Sequence, residues 1–378
     1  MKKPYSILFL IDSLTEGGAE LALLILVQTL CKQNFKVSVF AFREPSRLAN
    51  AFSEAGATLF IPARRTSESR FDAFWRLREV LLNDYFDFVH ASSRNTSMFL
   101  ALGWMLPRHG RRVVTFQNVH FRRISELTWW QRIKEISLLS ILRLTYHGFT
   151  TDSNANVADY NEYSPEIPLI FLPNCVVPPI NISQVEVVNA RERMGVCLND
   201  FVIVIPARYS IQKGHFFFLT AIQKLILRGV SPPKVVCFGD GDQFELLSNY
   251  LKLNKLEHIV SLNGMVSIGE LQSFMLAADL VAMPSLWESF GQVVVGAMAL
   301  GKPVLGSDTG GIREQITHNK TGFLVSPGDA DSWSFEIENL MNSRTLLLTV
   351  GKAARESISY KMTPVQIVSR LIDYYRTL

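Results

Sequence analysis

The stretch LVAMPSLWESFGQVVVGAMALGKPVLGSDTGG, residues 280–311, carries the fold in miniature. "LVAMPS" and "PVLGSD" are short apolar runs without polar alternation, and each leads through a turn into a helix-like segment. Uninterrupted apolar strands separated by helices imply a parallel sheet covered on both faces. Inside the stretch stands a lone carboxylate, Glu288, just before a helix. Eight positions on, among valines and alanines, Gly296 occupies a place where glycine costs a helix about 1 kcal/mol relative to alanine.

Outward from this stretch the same alternation continues. "FVIVIPARYS", "KVVCFGDGD", "HIVSLNG" and "GFLVSP" are further strands of the second half, with helices between. In the first half, "SILFLID", "KVSVFAF", "ATLFIPA", "FDFVHAS", "RVVTFQN", "GFTTDS" and "LIFLPN" repeat the theme to about residue 174. "CVVPPINISQVEVV" has a proline pair and little helical pattern, and reads as a linker. The expected fold class is α/β: two doubly wound Rossmann-like domains facing a central cleft. Their expected extents are residues 1–178 and 179–358, with a last helix in 359–378 crossing back to the first domain. Ligands of such sheets bind where loops leave the carboxyl ends of the strands.

At 378 residues, two domains are the natural division. With 48% hydrophobic and 19% charged residues, the chain falls outside the disordered class. Residues 60–143 hold 14 Lys and Arg against 7 Asp and Glu, whereas residues 179–378 hold 18 of each, so the basic surplus lies in the first half. Cys31, Cys175, Cys197 and Cys237 are scattered, which argues against a disulfide framework or a zinc site and suits a reducing cytoplasm. "MKKPYSILFLIDSL" imitates a signal peptide, but Pro4 and Asp12 leave too short an apolar run, and a buried first strand explains it better. No segment approaches the roughly 18–20 apolar residues of a membrane span, so a soluble chain is expected.

Several turns could hold an anion. Gly17 and Gly18 in "DSLTEGGAEL" precede a helix and would expose free backbone N–H groups. In "PARYSIQKGH", Arg208 and Lys213 leave a strand end five residues apart, with Gly214 opening the next helix; two such cations suit a diphosphate. "CFGDGD" admits two readings. Asp240 and Asp242 could hold a divalent metal, or Gly239 and Gly241 could form a tight turn with Asp242 capping the following helix; the turn is preferred, with no metal. Ser289, Phe290 and Gly291 would present the first N–H groups of the helix after Glu288. Beside them, a carboxylate makes sense for a ligand that also bears hydroxyls, as a sugar does. Thr309, Gly310 and Gly311 add a further backbone cradle.

Together these residues resemble the retaining family 4 glycosyltransferases of GT-B architecture, over nearly the whole chain and most specifically across 203–324. "GGAE", "ARYSIQKG", "GDGD", "LNGMVSIGELQSFMLAADLVAMPSLWESFG", "SDTGGIREQI" and "NKTGFLVSPGD" carry the likeness. The resemblance implies that Arg208 and Lys213 clamp a diphosphate and that Glu288 holds sugar hydroxyls. It also implies that the amides of Ser289–Gly291 hold phosphates, and that Gly264, Met265 and Val266 line the base pocket. Two departures stand out. The family's Glu-x7-Glu motif has a second Glu for the ribose hydroxyls, a contact worth roughly 1.5–3 kcal/mol; here Gly296 takes its place. Gln292, one turn earlier on the same helical face, or a water in the gap would replace it. Where the family often has a His after "VVTF", this chain has Gln117, with His120 three residues later as a candidate sugar-side or acceptor-side group. His90 is read as structural.

The resemblance thus implies transfer of a sugar from a UDP- or GDP-linked donor to a hydroxyl of a glycan or lipid-linked acceptor, in envelope polysaccharide or lipopolysaccharide-type glycolipid synthesis. Arg208, Lys213 and the 289–291 amides would stabilise the departing diphosphate with no metal or other cofactor. The arginines of the first half (Arg64, Arg65, Arg70, Arg108, Arg111, Arg112, Arg122, Arg123) and "LTWWQRIKEISLLSILRLTYHGF" suggest peripheral contact with an anionic membrane; the segment also reads as a buried helix with polar ends. No nucleic acid partner is expected. A nucleotide-sugar-binding protein without transfer, and a sugar-nucleotide epimerase, are the alternatives.

Overall fold

The computed structural model describes residues 5–15, 17–43, 48–62, 70–101, 106, 110–117, 128–157, 169–176, 179, 181–359 and 362–378. The chain divides into two compact units, Met1–Val177 with Met362–Leu378, and Pro178–Lys361.

The first unit has seven parallel strands, β1 (Ser6–Ile11), β2 (Lys36–Ala41), β3 (Thr58–Phe60), β4 (Phe88–Ala91), β5 (Arg111–Phe116), β6 (Gly148–Thr151) and β7 (Leu169–Phe171), in the order β3-β2-β1-β4-β5-β6-β7. β1 shows why its sequence is apolar throughout. Ile7, Phe9 and Ile11 enter one core, and Leu8 and Leu10 enter the other, so the pleat leaves neither face to water. α1 (Gly18–Lys32) and α2 (Ala49–Glu54) cover the first face; α3 (Arg70–Asn83), α4 (Arg94–Ala101) and α5 (Trp129–Thr145) cover the second.

The second unit has β8 (Val202–Pro206), β9 (Lys234–Phe238), β10 (Val260–Asn263), β11 (Leu280–Met283), β12 (Val304–Ser307) and β13 (Phe323–Val325), all parallel, in the order β10-β9-β8-β11-β12-β13. Its helices are α6 (Gln184–Arg193), α7 (His215–Leu227), α8 (Phe244–Leu253), α9 (Ile268–Ala277), α10 (Gln292–Ala299), α11 (Gly310–Gln315), α12 (Ala330–Met341) and α13 (Arg344–Ser359). α6 begins inside the segment read as linker. Ser183 and Glu186 form a reciprocal capping box that satisfies orphan amides there, a four-residue signal that outweighs the prolines before it.

The last helix, α14 (Pro364–Thr377), belongs to the first unit and packs on α1. Thr363 and Gln366 cap it, and it buries Ile367, Val368, Leu371, Ile372 and Tyr375. Burying each apolar side chain is worth roughly 1.5–3 kcal/mol, enough to hold a 14-residue helix that would be marginal alone. The Tyr375 ring stacks on Phe88 at 3.9 Å. Its hydroxyl bonds His90 Nδ1 at 2.6 Å, while His90 Nε2 bonds Thr115 Oγ1 at 2.6 Å. His90 is buried, and burial lowers its pKa to about 3. It therefore stays neutral and ties β4 to β5 and to the last helix, a structural role.

Candidate active site

In the second sheet the strand order reverses between β8 and β11, neighbours that are far apart in sequence. Loops leaving adjacent carboxyl ends on opposite sides of such a reversal open a crevice. The loop after β8 carries Arg208 and Lys213; the loop after β11 carries Glu288. They meet: Lys213 Nζ donates to Glu288 Oε2, in an ion pair whose side chains keep 19% and 11% of their exposure. Ser285 Oγ donates to the same oxygen at 3.3 Å. Lys213 and Glu288, read separately from sequence as a phosphate clamp and a sugar holder, are thus one unit. Arg208 lies exposed on the same loop.

The backbone fixes this meeting. Gln212 Nε2 donates to the Trp287 carbonyl at 3.0 Å, and the Leu286 amide donates to the Gln212 carbonyl at 2.7 Å. Gly214, at φ +68°, passes so close that a Cβ would lie 2.0 Å from the Pro284 oxygen. Sequence reasoning missed Gln212 and Ser285. The one available signal was a polar pair flanking an apolar strand end, which is too common to stand out.

The double glycine of "SDTGGIREQI" serves a similar approach. A Cβ at Gly310 would meet the Glu288 oxygen at 2.0 Å, and one at Gly311 the Ser289 oxygen at 2.1 Å. The Gly311 amide already donates to the Glu288 carbonyl at 2.9 Å, so the pair docks one loop on another rather than leaving a full cradle open. Thr309 is the N-cap of the short α11. The helix after Glu288 also starts later than its sequence suggests: Gly291, at φ +81°, is the N-cap, and Gln292 the first helical residue. The amides of Ser289 and Phe290 therefore belong to the preceding loop, because a left-handed glycine must precede the first turn here. Phe290 is buried, and its carbonyl accepts from Gln315 Nε2.

The Gly239–Gly241 turn packs on the loop after β8. A Cβ at Gly239 would meet the Ala207 oxygen at 2.3 Å, and one at Gly241 the Tyr209 oxygen at 2.2 Å. Asp240 Oδ1 accepts from the Gly241 amide at 2.7 Å. Asp242 does not cap α8. The N-cap is Gln243, without a side-chain cap bond, because the turn continues one residue further. Among the described residues no group of three or more His, Cys, Asp or Glu could hold a metal ion. Met265 is exposed and Val266 half-buried just beyond β10, on the same rim. Gln292 and Gly296 lie one turn apart on α10, both half-buried, and a Cβ at Gly296 would meet no heavy atom within 4 Å.

Beneath the cationic loop, His215 opens α7, buried against the Tyr209 ring at 5.2 Å. Burial first and the Lys213 charge second lower its pKa to about 4. Gly17, Gly18 and Gln117 belong to the first unit: Gly17 is the N-cap of α1, Gly18 its first residue, and Gln117 follows β5, half-buried. His120, Arg64, Arg65, Arg108, Arg122 and Arg123 lie outside the described residues.

The family described as Glycosyl transferases group 1 matches residues 189–357, and Glycosyltransferase Family 4 matches residues 16–178. The chain belongs to glycosyltransferase family 4. Among relatives of this family, the D-inositol 3-phosphate glycosyltransferase of Corynebacterium urealyticum is 29% identical over 196 residues, covering 50% of this chain and 46% of that one. The chain spans about half the length of the relatives it matches first. Solved glycosyltransferases of GT-B fold superpose throughout. HepE of Anabaena, crystallised with UDP-glucose, gives a TM-score of 0.83 at 20% identity, covering 99% of this chain and 100% of that one. WaaG, a glycosyltransferase involved in lipopolysaccharide biosynthesis, gives 0.76 at 15%, covering 98% and 99%. At these identities the family 4 chain shares their fold.

Proposed function

We propose that this chain moves a sugar from a UDP- or GDP-linked donor to a hydroxyl of a glycan or lipid-linked acceptor, with retention of anomeric configuration. The acceptor belongs to envelope polysaccharide or glycolipid assembly at the inner face of the cytoplasmic membrane. The observation that carries the reading is the Lys213–Glu288 pair at the sheet's switch point, with Arg208 on the same loop. Departure of a nucleoside diphosphate leaves anionic charge on phosphate while positive charge builds on the sugar ring. Arg208 and Lys213 answer the first, and Glu288, oriented by Lys213 and Ser285, holds the sugar by its hydroxyls. The two cations supply the charge, so no metal is invoked. No carboxylate is assigned as a covalent nucleophile; the incoming hydroxyl attacks the face the diphosphate leaves, and the leaving phosphate accepts its proton. Met265, Val266 and Gln292 contribute the nucleoside side, and Gln117 and His120 the acceptor side. The UDP and glucose bound in HepE and the lipopolysaccharide role of WaaG support the donor class and the acceptor class respectively.

A second reading, nucleotide-sugar binding without transfer, is favoured by Gly296, where the family's ribose carboxylate is absent. A screen of UDP- and GDP-sugars, with chelator present, separates the two. Nucleotide release that Lys213→Ala abolishes supports transfer, whereas tight binding without release supports the second reading, and an epimerised sugar overturns both. In the same screen Gly296→Glu is expected to tighten nucleotide binding about ten- to a hundred-fold.

A further inference from the structure

Two histidines are buried to nearly the same degree and held in opposite ways. His90 is 3% exposed and His215 is 2% exposed. Both nitrogens of the His90 ring are met by hydroxyls, those of Tyr375 and Thr115, each at 2.6 Å. The His215 ring has no hydrogen-bond partner in the protein at Nδ1 or at Nε2. A buried polar group left in this way is costly and calls for an explanation. An apolar side chain of similar size would fill the same place without that cost. What distinguishes the imidazole from such a side chain is its proton.

The position of the ring gives that proton a use. His215 opens α7 directly after Lys213 and Gly214, beneath the loop that also carries Arg208. The Tyr209 ring faces it at 5.2 Å; the phenol donates to the Asn263 carbonyl at 2.6 Å, and burial raises its pKa, so it stays uncharged. Asp240, in the turn after β9, acts on Tyr209. Lys213 is the charge that acts on the imidazole, lowering its pKa second to burial, and it is paired with Glu288 from the loop after β11. α12, which packs on α7, sets its charges farther along: Asp331 meets Lys224, and Glu338 meets Arg228. No protein group within hydrogen-bond reach therefore fixes the charge of this ring, and the field of the loop decides it.

We propose that His215 is a positioning residue of the donor site, whose ring takes up a proton from solvent as a nucleoside diphosphate seats on Arg208 and Lys213. The phosphates offset the Lys213 charge that disfavours an imidazolium and add an anionic field of their own, little screened at a buried ring. The imidazolium then puts a third positive charge under the diphosphate, at the first turn of α7. It makes no bond to the reacting atoms. His90, with both nitrogens satisfied, keeps its neutral form. The inference deepens the nucleotide-sugar reading and rests on it for the ligand.

The test is calorimetric titration of UDP and of GDP into the full chain at pH 5 and pH 7, in buffers of different ionisation enthalpy, which counts the protons exchanged. The nucleotide's own titration is common to parent and variant, so the difference between them is read. At pH 5 the parent is expected to take up about half a proton more per nucleotide than His215→Phe or His215→Gln. Because the bound state then holds more protons, parent affinity relative to either variant rises about threefold from pH 7 to pH 5. His90→Gln keeps the parent's uptake. Imidazole nitrogen resonances of the parent give a reading that needs no substitution: one of the seven histidines turns cationic when nucleotide is added at pH 5. Equal proton uptake in the parent and the His215 variants, or no imidazole changing charge, overturns the inference and leaves nucleotide binding standing. Failure of the parent to bind either nucleotide sinks the donor reading itself, and this inference with it.

Discussion

The two sheets reverse strand order in the same way, between β1 and β4 in the first unit and between β8 and β11 in the second. The residues that bridge the two reversals differ. In the first, Ser93 Oγ donates to Asp12 Oδ2 at 2.8 Å; in the second, Lys213 donates to the buried carboxylate of Glu288. One backbone frame therefore offers the same crevice twice, and among the described residues the cation–carboxylate pair stands in the second. A doubly wound sheet supplies a place for a ligand, and the loop side chains decide its chemistry.

The sharpest break in this contrast pairs two substitutions. Lys213→Ala is expected to lower nucleotide release by about 10²–10³-fold, the loss typical of one preorganised charge donor. Ser93→Ala, at the matching place in the first unit, should cost about 1 kcal/mol of stability through its hydrogen bond and leave nucleotide release near the parent rate. Equal losses in steady-state release would erase the distinction between the crevices.

Acid sharpens the comparison differently, because among the described residues each unit buries one histidine, His90 in the first and His215 in the second. His90 and His215 have folded pKa values of about 3 and about 4, below the ordinary 6.5. A lowered histidine pKa contributes stability that is full above about 6.5 and is lost as pH falls toward the folded value. Between pH 6.5 and 5 each costs about 2 kcal/mol. Melting temperature against pH should flatten in His90→Gln for the first unit's transition and in His215→Gln for the second's. Unaltered slopes in both variants would show that neither ring is held neutral.

The smallest effect concerns α10. Gly296→Ala removes a mid-helix glycine at a position with open space, so unfolding of the second unit should become harder by about 1 kcal/mol. A destabilised variant would mean that the opening is already filled.

Much of the fold was legible because strands buried on both faces must be apolar throughout, as "SILFLI" and "FVIVI" are. The start of α6 and the N-cap of α10 were misjudged, since a capping box and a left-handed glycine are local signals easily outweighed by nearby prolines or by motif likeness. Arg208, Lys213 and Glu288 were legible as chemical groups, each charged at the end of an apolar run. Their union was not, because Lys213 and Glu288, 75 positions apart in the chain, meet only when β8 and β11 become neighbours. Likewise, the sequence of α5 shows tryptophans, leucines and cations, but not which of them face the core. By itself the sequence determined two parallel α/β units and the chemical inventory of the site, through periodicity and residue type. Which groups touch, and which apolar side chains remain in water, the tertiary structure alone decided, because strand order and helix rotation are set by packing between segments distant in the chain.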